Sequence, residues 1–227
     1  MSDPAPNAGL MRALGRLVRG LSAIFWGLPL AGLVCTNNMV AEWLRTFGVL
    51  APVVTTGVLF YGVRQFSAFQ PQERIWIQSV ERAKILALVN LGLSPFVYWW
   101  NRFPDQLFFN AAILLFFVTG LLFVYNLNLA LERLTAMLPD ETLRVDTRLF
   151  SRFNRWMLLG VLVFSCVMFG LSEIETFPEW LLGVLSQLEH LRHWIVTTAL
   201  IPPLAMTMTL IWKIKEVIFS SVFDKAP

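Results

Sequence analysis

Residues 106–131, QLFFNAAILLFFVTGLLFVYNLNLAL, carry no charged side chain. As a helix these twenty-six residues rise about 39 Å at about 1.5 Å each, enough to cross the roughly 30 Å hydrocarbon core of a bilayer with some tilt. Working outward, five more runs lack Asp, Glu, Lys, Arg and His: 20–41, 46–63, 85–101, 156–172 and 194–212. The expected fold is an all-α polytopic transmembrane bundle of six spans, a single membrane domain over residues 1–227. The gaps between runs are four to twenty-four residues, too short for a separate soluble unit.

Composition agrees with lipid as the solvent. Hydrophobic residues are 56% of the chain and charged ones 15%, with a mean hydropathy of +0.62, a balance that one water-soluble core cannot hide. The net charge of +3 does not point to nucleic acid, because the basic residues sit at the ends of spans rather than in one patch. Lys and Arg number three before the first span, four in 64–84, five in 132–155 and three after 212, whereas Arg45, Arg102 and Arg192 alone fall in the other connections. Fifteen against three, in strict alternation, predicts six spans with both termini in the cytoplasm. Short loops and this asymmetry lead us to expect a bacterial inner membrane.

At the N-terminus, Arg12, Arg16 and Arg19 share a face, which predicts an interfacial helix leading into the first span. The run 20–41 is long for a signal sequence, and Val34 before Cys35 does not suit lipoprotein cleavage, so a retained span is expected. Cys35 and Cys166 lie in different spans and form no disulfide framework. Trp43, Trp99, Trp100, Trp180 and Trp194 fall near the expected outer boundary, Trp76, Trp156 and Trp212 near the inner one, and Trp26 deep. Between spans five and six, Thr176 precedes Glu179 by three residues as in a capping box, and Trp180, Leu181, Val184, Leu185, Leu188 and Leu191 repeat at helical spacing. This predicts a separate amphipathic helix on or in the outer leaflet.

A shift of sixty-eight residues lays Ser67, Ala68, Phe69, Pro71 and Glu73 over Thr135, Ala136, Met137, Pro139 and Glu141. It describes either two parallel copies of a hairpin or the common taste of such turns for proline and glutamate in a first helical turn.

Candidate functional residues are few. Asn90, Asn110, Asn126 and Asn128 are polar groups inside spans, expected to hydrogen-bond between helices or to line a polar path. Pro29, Pro52, Pro95 and the pair Pro202 and Pro203 should interrupt four spans, the pair being the candidate functional break. Arg144, Arg148, Arg152 and Arg155, spaced four, four and three, form a basic stripe that either orients the chain or docks anionic headgroups or an acidic partner. His190 and His193 lack further ligands at useful spacing, so no metal is expected. Phosphate-binding glycine loops, GxSxG, CxxC and GxxxG are all missing, and no ionisable group lies within a span. We therefore expect neither an enzyme nor a cofactor.

Two functions remain. The first is a non-catalytic integral membrane subunit or scaffold of a larger membrane complex, whose partners are membrane lipids and other subunits or copies of itself. The alternative is a transport permease, since an interfacial helix, six spans, a helical cytoplasmic turn and outer amphipathic structure follow an order similar to the permease halves of ABC-2-type exporters. That resemblance in layout implies a separate ATPase, and the long connection 132–155 departs from it.

Overall fold

A computed structural model describes residues 8–35, 47–70, 72–103, 106–138, 141–172 and 179–223, and over 179–194 its backbone alone. It is all-helical, with no strand among the described residues: α1 Ala8–Cys35, α2 Leu50–Phe66, α3 Arg74–Leu93, α4 Pro95–Arg102, α5 Leu107–Ala136, α6 Glu141–Ser172 and α7 Glu179–Phe223. Three stretches are long and apolar enough to cross a membrane, Met11–Val34, Leu107–Ala136 and Ile195–Ser220. α2 has only 17 residues, α3 and α4 divide one apolar run, and α6 spends its first turns on charged residues.

Two expectations about helix boundaries need correction. The N-terminal interfacial helix is not a separate element, because α1 runs through it into the first span without a break. The outer amphipathic helix is likewise continuous with the sixth span, no proline lying between Glu179 and Pro202 to end it. The capping box at Thr176 and the face of 180–191 lie outside the described residues or side chains.

The prolines divide by position. Pro29, Pro202 and Pro203 sit inside unbroken helices, and Pro52 occupies the first turn of α2, where the missing N–H has no intrahelical partner to lose. Only Pro95 ends a helix, and Ser94, fully buried, donates its hydroxyl to the freed Leu91 carbonyl at 2.8 Å.

Among the described residues six long helices close a ring: α1 packs on α2, α2 on α3, α3 on α5, α5 on α6, α6 on α7 and α7 on α1. The tightest crossing is α1 against α2. A Cβ on Gly20 would stand 2.6 Å from the Gly62 carbonyl oxygen, and one on Gly62 would stand 2.6 Å from Ile24 Cγ1. Two glycines on different helices thus do here what GxxxG does within one. Leu17, Leu21, Ile24, Val63, Phe66 and Trp76 bury around one end of this crossing, and Leu127, Leu131, Leu134, Ile211 and Ile214 continue the core on the other side of the ring.

The sixty-eight-residue shift extends to burial. Leu59, Gly62, Val63 and Phe66 of α2 are buried, as are Leu127, Ala130, Leu131 and Leu134 of α5; between α3 and α6 the match is partial, since Ser79, Ala83 and Asn90 overlie buried Thr147, Ser151 and Leu158, but buried Val80 overlies exposed Arg148 and buried Ala87 overlies half-buried Arg155. Trp76 and Arg144, also related by the shift, each donate back to a carbonyl in the preceding turn, Phe69 at 2.8 Å and Leu138 at 3.3 Å. Trp76 is therefore a core residue, fully buried between Phe66 and Phe69, rather than an interfacial anchor. Trp26, on the outside of α1, is 65% exposed.

Candidate functional site

Polar side chains gather where α5, α6 and α7 meet. Asn128 of α5 donates to its own Val124 carbonyl and to Thr207 Oγ1 of α7, both at 2.9 Å. Asn154 of α6 directs Nδ2 at Asn128 Oδ1 (3.1 Å), the Pro203 carbonyl (3.1 Å) and Thr207 Oγ1 (2.9 Å). Thr207 returns its hydroxyl to the Pro203 carbonyl at 2.8 Å. All three side chains are fully buried. Asn154 Oδ1 meets no donor.

One turn along, Ser151 donates to the Asn128 carbonyl and to Glu132 Oε2, each at 3.2 Å, and Arg155 Nη1 reaches the same carboxylate oxygen at 2.7 Å. Arg155 also lies over the Tyr125 ring, 5.9 Å from its centroid. The knot holds three helices in register, because buried amides left unpaired are costly.

The four asparagines singled out from sequence have different surroundings. Asn128 belongs to this knot. Asn90 bonds across helices, accepting from Thr119 of α5 at 3.1 Å while Nδ2 donates to Leu86. Asn110 accepts from Trp100 Nε1 at 2.7 Å, tying α4 to α5. Asn126, half-buried, donates to its own Leu122 carbonyl at 2.8 Å. Of the proline pair, Pro203 is buried in the knot and Pro202 is exposed. Asn154, Ser151, Thr207 and the ion pair of Glu132 with Arg155 were not singled out. Their signal is weak, since Ser151 and Asn154 lie between arginines and read as part of a polar connection.

The basic stripe splits. Arg144 turns inward to the Leu138 carbonyl and Arg155 to Glu132, leaving Arg148 and Arg152 exposed. Beside them on α6, Val145 (70%), Leu149 (69%), Phe153 (58%) and Trp156 (70%) are exposed too. These six positions recur at three- and four-residue intervals and form one uncovered face.

Inside the ring is a cavity of about 180 Å³ touched by all the described helices, through Leu28, Leu59, Asn90, Trp100, Phe117, Leu158 and Leu200 among others. Among the described residues no group of three or more His, Cys, Asp or Glu comes together. Comparisons with protein-family models, with curated proteins and with solved structures find no match to this chain.

Proposed function

We propose that the chain is a non-catalytic integral membrane subunit or scaffold, crossing a bacterial inner membrane six times with both termini in the cytoplasm and docking a partner subunit on the outer face of α6. The observation that carries this reading is the uncovered stripe of Val145, Leu149, Phe153 and Trp156 with Arg148 and Arg152. At 32 residues α6 is about 48 Å long, well beyond the roughly 30 Å of bilayer hydrocarbon. With Trp156 at the interface, the turns before it project past the lipid. Large apolar side chains there need a protein cover, and the two arginines favour one with an acidic rim.

A photo-crosslinking amino acid at position 149, irradiated in native membranes, tests this. The expected result is one protein adduct, lost in an Arg148→Glu, Arg152→Glu variant that still purifies as a folded monodisperse species. An ATPase as the adduct would make the chain an exporter's permease instead. Adducts to lipid alone, with the chain purified free of companions, would overturn the subunit reading.

A further inference from the structure

We infer that the cavity at the centre of the helix ring is a binding site for the end of a hydrocarbon chain, supplied by an acyl tail of the surrounding phospholipid. Polarity argues for this occupant first. Polar groups on the wall are already satisfied within the protein: Thr56 donates to the Pro52 carbonyl at 2.7 Å, Asn90 donates to the Leu86 carbonyl and accepts from Thr119, and Trp100 donates to Asn110. Water entering would find few of the two to four partners it needs, whereas apolar cavities of about 150 Å³ stay dry and accept benzene. At about 180 Å³ the space suits a short length of chain.

Access argues next. Leu121 and Leu158 on the wall are buried, while Gly32, Trp100, Phe117 and Leu200 are half-buried, so the space runs from the centre of the bundle toward its flank. In a bilayer the flank is bathed in acyl chains, and mass action favours the apolar ligand in greatest supply. The site is independent of the α6 face and does not rest on the subunit reading.

Two glycines allow a direct test. A Cβ on Gly120 meets only Asn90 Oδ1, at 3.7 Å, and one on Gly32 meets only Leu204 Cδ1, at 3.5 Å, both ordinary contacts. A larger side chain at either position therefore enters the cavity before it strikes backbone. The full chain, reconstituted in vesicles, would be irradiated with a phosphatidylethanolamine carrying a diazirine near its acyl terminus, or separately with a diazirine fatty acid, and the adducts mapped by mass spectrometry. Carbene adducts are expected at Leu121 and Leu158, which lipid outside the ring does not reach, besides those on lipid-facing Leu115 and Val163. Gly120→Leu should lose the interior adducts and keep the exterior ones, and Gly32→Leu asks the same question from the opposite wall where Gly120→Leu fails to fold. Interior labelling by the fatty acid but not the phospholipid would overturn the bilayer tail as source. Exterior adducts alone in the unmodified protein, or interior adducts that persist in the filled variants, would overturn the site itself.

Discussion

Asn154 aims two N–H bonds at three acceptors on two other helices while its own Oδ1 has no donor. A hydrogen bond between transmembrane helices contributes about 0.6 kcal/mol on average and rarely more than about 2. Asn154→Leu removes several at once and leaves Asn128 Oδ1 unpaired, so it should destabilise the bundle by about 1–3 kcal/mol. Thr207→Val should cost less alone, and the two changes together should cost less than their sum, with a coupling of about 0.5–2 kcal/mol. Reversible unfolding in mixed micelles measures both, and strict additivity would mean that the amides do not act as a unit. Glu132 makes a second case. Its carboxylate carries both Ser151 and Arg155, at side-chain exposures of 25% and 18% for the ion pair. Glu132→Gln should cost on the order of 1–2 kcal/mol, and less once Arg155→Gln has already removed the orphaned charge. Equal costs in both backgrounds would show that the pair contributes nothing.

At the scale of helices, the crossing of α1 on α2 depends on missing side chains. Gly20 and Gly62 bring backbone against backbone, and Gly27 packs against Leu59, where a Cβ would stand 2.9 Å from Cδ2. Gly62→Val forces the helices apart and should cost about 1–3 kcal/mol as overpacking does, whereas Gly160→Val, at a position where a Cβ meets nothing within 4 Å, should leave thermal stability in detergent unchanged. Similar losses at both sites would refute the close crossing. The sequence spoke clearly about where helices lie, since apolar runs and breakers are local: α5 starts within one residue of the charge-free run, at Leu107. It spoke less well about where they join. Continuity through α1 and α7 depends on unbroken backbone bonding, which charges outside the apolar run do not interrupt. Three of the five prolines stay within helices whose neighbours supply other contacts. The knot was half legible: Asn128 stands out in apolar surroundings, but Asn154 and Thr207 acquire meaning only when α6 and α7 are brought together in space.

For the molecule as a whole, the closed ring bears on how many helices cross the membrane. Only three are long and apolar enough by length and composition. If α1, α5 and α7 alone crossed, Arg45, Arg64, Arg74, Arg82, Lys84, Arg102, Lys213, Lys215 and Lys225 would share one side, nine of the eighteen basic residues, and the charge asymmetry would vanish. Six crossings restore fifteen against three, the bias that orientation requires. The burial match between α2 and α5 argues the same way, because helices that pack alike are expected to share one solvent. The two topologies differ at Gln70, in the α2–α3 turn, and at Ser220, near the end of α7. Six spans place both in the cytoplasm with Thr142, opposite Phe47 and Gln106, whereas three spans put Gln70 and Ser220 outside with Phe47 and Gln106. Single cysteines at these five positions, in a chain with Cys35 and Cys166 replaced by serine, would be challenged in intact cells with a membrane-impermeant maleimide. Phe47→Cys and Gln106→Cys should react at once, and the other three only after the membrane is opened. Reaction of Gln70→Cys and Ser220→Cys in intact cells would reduce the crossings to three and lay α2, α3 and α6 beside the membrane rather than through it.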